Sequence, residues 1–318
     1  MRKARRIHFS GYILSNSSSL FLNIFMLSFA RKACYNENDS ILFKSEYQGD
    51  FHIMNKKTFG IIGCGFLGNI VADAYTMGLL EEYELIGLHG MPMEAAVSTS
   101  VKCDCACCAD VDTLLAMKPD YIVETASVEC VRENAVKILE SGINLVVISI
   151  GAFADLDFYE KAKAAAVKGG AKIHLASGAI GGFDVLQTVT LMAQAQKLTE
   201  TSSIETHTGC KGFIPTPVWE DSLLTEQKTV FTGNAKQAIA TFPRRVNVAV
   251  ATSLATTGPD VTQVIMHSVP NWQGDDHKIT AEIDGVKAVV DIYSRTSAIA
   301  GWSVVALLRN LASPVCFF

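Results

Sequence analysis

The sequence of 318 residues has no uninterrupted apolar run of the roughly 18 side chains that a membrane span requires, which excludes a multi-span membrane protein. It has no long basic run either: Lys and Arg number 27 against 32 Asp and Glu, a formal charge of −5. Nucleic-acid affinity rests on clustered cations, so no nucleic-acid partner is expected. Kinase and nucleophile-elbow signatures are missing. Charged residues are sparse at 19% and hydrophobic ones make up 49%, which excludes wholesale disorder and suits two domains with real cores.

The nine cysteines lack the separated pairs of a structural zinc site. Four of them, Cys103, Cys105, Cys107 and Cys108, crowd into VKCDCACCAD. Such close neighbours rarely bridge, and no other spacing suggests a disulfide framework, so a reducing, cytoplasmic setting is expected. The cluster reads as a cysteine-rich surface loop, with a soft metal on the thiolates as the alternative. Residues 1–54 differ in texture. A basic start, MRKARR, leads through Ser15–Ser19 to the apolar Leu20–Ala30. An export signal, a short anchor and a segment outside the working fold are the three readings, and the last is preferred.

From Lys56 onward, short apolar runs alternate with amphipathic stretches. Strands are expected at Thr58–Gly63, Tyr83–Leu88, Tyr121–Thr125, Leu145–Ile150 and Ala171–Ala176. Helices are expected at Phe66–Leu80, Val128–Glu140 and Asp155–Lys168. This order predicts an α/β fold, a doubly wound parallel sheet of Rossmann type over residues 55–176. Residues 177–296 read as a smaller α+β domain with an antiparallel sheet, built from Ser203–Thr208, Thr262–His267, Lys278–Ile283 and Lys287–Tyr293. Residues 297–318 carry a C-terminal helix, apolar on more than one side and expected to pack back on the first domain.

The most informative motif is Gly63-Cys64-Gly65-Phe66-Leu67-Gly68, a GxGxxG between a strand and a helix. Gly63 permits the tight turn, Gly65 a close approach to a pyrophosphate, and Gly68 close helix–strand packing. The helix N-terminus adds unpaired N–H groups. A tight turn without a ligand is the bland alternative. The acidic residue that would hold a ribose hydroxyl is absent, since Leu88-His89-Gly90-Met91 occupies its place. The cofactor is therefore read as NAD or NADP. Ala126, Ser127 and the Ser177–Asp184 loop (SGAIGGFD) end strands on the same edge, where open α/β sheets bind ligands.

Five segments, YIVETASVECV, LVVISIGAFADLDF, IHLASGAIGGFD, FPRRVNVAVATSLATTGPD and GDDHKI, resemble in order and spacing those of L-aspartate dehydrogenases, from about Lys57 to Pro314. The resemblance implies a homodimer that oxidatively deaminates L-aspartate to iminoaspartate with NAD or NADP, the product giving oxaloacetate or feeding NAD biosynthesis. It implies cofactor contacts at Ala179 and Asn247 and a catalytic histidine at His277. Asp275 and Arg245 stand where the family often has asparagines, and one arrangement pairs them with each other. Homoserine dehydrogenase-like and dihydrodipicolinate reductase-like enzymes, and a non-catalytic dinucleotide sensor, are the alternatives.

Among the seven histidines, those inside strands (His174, His207, His267) read as structural groups. His277 is placed at a loop-to-strand junction, where Asp275 and Asp276 are expected to raise its pKa above the usual value of about 6.5. That suits acid–base work near neutrality. A dicarboxylate substrate needs cations, and Lys211, Arg244, Arg245, Lys278 and Arg295 are the candidates. No metal is required, because the cofactor carries the redox chemistry.

Overall fold

The computed structural model describes residues 56–242 and 246–317. The leader read separately in the sequence, and Arg244 and Arg245, lie outside these residues.

Six strands form a wholly parallel sheet in the order β3-β2-β1-β4-β5-β6. They are β1 (Lys57–Ile62), β2 (Tyr83–His89), β3 (Ala106–Cys107), β4 (Tyr121–Glu124), β5 (Asn144–Val147) and β6 (Ile173–Leu175). The crossovers are α1 (Phe66–Thr76), α2 (Met93–Cys103), α3 (Val111–Ala116), α4 (Val128–Glu140) and α5 (Leu156–Gly169). Parallel strands covered on both faces need apolar side chains on both, which is why β4 is buried throughout. The order reverses between β1 and β4, the switch point where ligands of such sheets bind.

The chain then enters α6 (Phe183–Gln196), β7 (Thr201–Gly209), β8 (Lys228–Asn234), α7 (Ala235–Thr241), α8 (Asn247–Ala255), β9 (Gln263–Val269), β10 (Asp275–Ile283) and β11 (Val286–Ser294). Five of these make a second sheet in the order β11-β10-β7-β9-β8. The sequence led to an antiparallel sheet, and the sheet is mixed: β7 and β9 run parallel, joined by a long crossover through β8, α7 and α8. Strand β7 alternates strictly, with Ser202, Ile204, Thr206 and Thr208 buried and the residues between them more open.

The last helix, α9 (Ala298–Ala312), packs back on the first sheet as expected. Val304, Val305 and Leu308 share a core with Phe59, Val71 and Tyr83. Gly301 lets it lie against α1, because a Cβ there would sit 2.9 Å from the Ile70 side chain. Its final turn accepts two distant donors: Tyr83 Oη donates to the Leu308 carbonyl at 2.7 Å and Lys57 Nζ to that of Leu311 at 2.9 Å.

The cysteine cluster is not a surface loop. Cys103 and Cys108 are buried, and only Cys107 of the four is exposed, because the segment ends α2 and forms edge strand β3.

Candidate active site

The glycine turn sits between β1 and α1, at the sheet edge where β4 and β5 also end. Gly63 has φ +103°, and its N–H donates to the His89 carbonyl at 2.8 Å. A Cβ on Gly63 would lie 2.7 Å from the Ala126 backbone, and one on Gly68 only 1.9 Å from the Gly63 carbonyl oxygen. These two glycines are demanded by packing alone. Gly65 is not: a Cβ there would meet nothing within 4 Å. It is also the N-cap of α1 and offers no side-chain cap, so the first N–H groups of the helix face open room. Free donors beside free space fit a dinucleotide pyrophosphate. Phe66 is exposed at the helix start, whereas Leu67 packs against the core and can offer only backbone. Cys64 lies within the motif but is inert, since burial pushes its thiol up to about 11.

The ends of β4 and β5 are joined by Glu124, a fully buried carboxylate. It accepts from Ala126 N at 2.7 Å, Ser149 N at 3.1 Å and Ser149 Oγ at 2.9 Å. Burial raises its pKa against the pull of these hydrogen bonds. Ala126 is thereby pinned beside the glycine turn. The Ser127 hydroxyl, expected to line the cofactor channel, caps α4 by accepting the Cys130 N–H at 3.1 Å.

Asn247 opens α8, and its Oδ1 accepts the Gly151 N–H at 2.8 Å, tying it to the turn after β5. Among the described residues none accepts from its side-chain NH2. The loop carrying Ala179 is anchored at both ends. The Gly178 N–H donates to Ser303 Oγ of α9 at 2.9 Å, and Gly182, at φ +71°, caps α6 with no room for a side chain against Val290.

His277 is 5% exposed and is the third residue of β10, not a loop residue. Its Nδ1 lies 2.9 Å from Thr206 Oγ1, the directly opposite residue of β7. On the other side it pairs with Ile292 of β11, and a Cβ on Gly181 would lie 3.9 Å from that side chain. The Ala179 loop and His277 thus share one face of the second sheet. The expected rise in its pKa is overturned. Burial lowers it below the ordinary histidine value, and the opposing pull of Asp275 and Asp276 is the smaller influence. The ring is therefore neutral at pH 7 and ready to take a proton.

Of the cationic candidates, Lys278 follows His277 in the strand and so points to the opposite face, away from the imidazole. Lys211 and Arg295 are exposed. A cleft of about 720 Å³ lies along α6 and α9, lined by Ser177, Asp184, Ser303 and Asn310 among others, and His277 is not in its walls.

Comparison with known proteins agrees with this geometry. Residues 63–176 match the profile of the "Homoserine dehydrogenase, NAD binding domain" family, and residues 189–311 that of "Aspartate dehydrogenase, C-terminal". The chain is 31% identical over 263 residues to an L-aspartate dehydrogenase of Methanococcus maripaludis, covering 80% of this chain and 97% of that protein. It is 29% identical over 272 residues to one from Methanocaldococcus jannaschii, with the same coverages of 80% and 97%. Among solved structures, an aspartate dehydrogenase of Thermotoga maritima superposes with a TM-score of 0.67 at 25% identity, covering 82% of this chain and 99% of that one. Near-complete coverage of these relatives, together with a dinucleotide turn at one end and the second-domain profile at the other, makes this chain a member of the L-aspartate dehydrogenase family.

Proposed function

We propose that the protein catalyses NAD- or NADP-dependent oxidative deamination of L-aspartate to iminoaspartate, which hydrolyses to oxaloacetate and ammonia. The observation that carries this reading is His277: a buried, neutral imidazole fixed through one nitrogen, in a chain that aligns with L-aspartate dehydrogenases over nearly their whole length. A bound nicotinamide dinucleotide supplies the acceptor for the hydride leaving the substrate Cα.

The rest falls to the chain. The Gly65 turn and the first N–H groups of α1 bind the pyrophosphate. Glu124 holds Ala126 and the β5 turn in register along the cofactor channel. Asn247 is oriented by Gly151 and donates from its amide toward the cofactor, with Ala179 giving close backbone approach. Thr206 holds Nδ1 of His277, which leaves Nε2 for the substrate. His277 accepts the proton of the substrate ammonium, so that the nitrogen lone pair can drive hydride departure; once it has released that proton to solvent, the neutral ring takes a proton from the water that adds to the iminium carbon. Lys211, Arg295, Arg244 and Arg245 are the proposed partners of the two carboxylates. A homodimer in the cytoplasm completes the reading.

The test is spectrophotometric reduction of NAD and of NADP with L-aspartate and with a panel of other amino acids, using protein shown to bind cofactor. Aspartate-dependent reduction, lost in His277→Ala while cofactor affinity persists, is expected. No aspartate-dependent signal with either cofactor rejects the proposal.

A further inference from the structure

The open face of the second sheet carries a group of side chains that the reaction does not use. Glu205 and His207 lie two apart on β7, and His267 is the direct neighbour of His207 on β9. One ligand atom from each of the three comes within 4.8 Å of the other two, and among the described residues no other trio of His, Cys, Asp or Glu does so. The rings of His207 and His267 stack at 4.4 Å. Nε2 of His267 is 2.8 Å from Glu205 Oε1, while its Nδ1 is 3.0 Å from Thr229 Oγ1 of β8.

We propose that Glu205, His207 and His267 form a binding site for a divalent transition-metal ion of the zinc type. Two imidazoles and one carboxylate are the donor set such ions prefer. The Thr229 hydroxyl engages the far nitrogen of His267 and aims Nε2 at Glu205, the arrangement by which a supporting group orients a metal-bound histidine. The metal would sit between Glu205 Oε1 and His267 Nε2, which now lie 2.8 Å apart. Asp276 pairs with His207 in register and so lies on the same face, outside the 4.8 Å trio. Nothing in the packing of the sheet asks for these residues, because the core side of β7 is furnished by Ser202, Ile204, Thr206 and Thr208.

The placement gives the site a consequence. Thr206 lies between Glu205 and His207 in the chain, and its side chain lies on the opposite face of the sheet, against His277. An ion held behind it stiffens the two residues that flank the partner of the proposed catalytic imidazole.

The test is a titration of metal-free, reduced protein with Co2+, followed by competition with Zn2+. The wild type is expected to bind one equivalent with weak visible d–d bands and without the intense near-ultraviolet band of thiolate ligation, which separates this site from the cysteines. Glu205→Gln and His207→Gln should each weaken binding at least tenfold, and Cys107→Ser should leave it unchanged. Retained cofactor binding shows that the variants are folded. Failure of the wild type to bind Co2+ or Zn2+ saturably overturns the proposal, as does binding that keeps its strength in His207→Gln or that shows the thiolate band.

Discussion

Replacing Thr206 by Val removes one hydroxyl and nothing else from the proposed catalytic face. Valine matches threonine in shape and suits a strand, so β7 should form unchanged. With His277 only 5% exposed, water does not replace the lost partner at Nδ1. A buried polar atom left unpaired costs about 1–3 kcal/mol, and domains of this size lose about 2–4 °C per kcal/mol, so the melting temperature should fall by ~2–12 °C. The kinetic effect is separate. The Thr206 contact fixes which nitrogen of His277 faces the substrate, and acid–base groups contribute about 10²–10⁴ in rate, of which orientation is a part. A fall in kcat of about 10- to 100-fold is expected, with KM for the cofactor nearly unchanged. Thr206→Ser keeps the hydroxyl and should restore most of kcat. Steady-state kinetics and calorimetry on the three proteins decide. A Thr206→Val enzyme that is less stable but turns over at the wild-type rate, with the wild-type pH profile, would refute the assignment of His277.

Other outcomes follow from the same geometry. His277 must be neutral to accept a proton, and burial lowers its pKa, so kcat/KM should hold down to below pH 6.5 and then fall. Asp275→Asn removes a charge that pulls this pKa up, so the acid limb of the profile should move to lower pH. Gly68→Ala forces a Cβ to within 1.9 Å of the Gly63 oxygen and should both destabilise the fold and weaken cofactor binding at least tenfold. Gly65→Ala meets no protein atom and should weaken cofactor binding while changing stability by only about 1 kcal/mol, as thermal shift with and without cofactor would show. His174 is held neutral by burial, its pKa is pushed down to about 4, and its Nε2 has no hydrogen-bond partner. Below pH 6.5 the unfolded chain binds this proton first, so the native state loses stability from there down to about pH 4. His174→Phe should flatten that part of the melting-temperature curve.

The elements most legible in the sequence are those whose local pattern and tertiary role agree. Val128–Glu140 is a helix over the same residues that its apolar spacing indicates, with Ser127 as its cap. The glycine motif is legible for the same reason, since Gly68 answers to packing against Gly63, five residues before it. What escaped is what depends on distant partners. The two-residue β3 exists only because β2 is beside it. The parallel pairing of β7 with β9 is set by a crossover that no local signal announces. For His277 the sequence shows the two neighbouring carboxylates but not the sheet that buries the ring, and burial decides the sign of its pKa shift. The cysteines misled in a similar way, because four thiols in six residues look like a loop until α2 and β3 divide them between core and surface. His207 and His267, 60 residues apart, give no hint in sequence that they stack.

The clamp of α9 over the opening strands has a consequence for how the protein is made. Residues near the start of the described chain, Lys57 and Tyr83, donate to carbonyls of Leu311 and Leu308, which are made only after the second sheet. The nucleotide-binding half therefore cannot close its own core once its six strands are made, and must wait, with Val71 and Phe59 uncovered, for a helix that emerges after the entire second sheet. A stalled or prematurely ended nascent chain would expose that apolar surface to chaperones even though all six strands of the first sheet had already been synthesised.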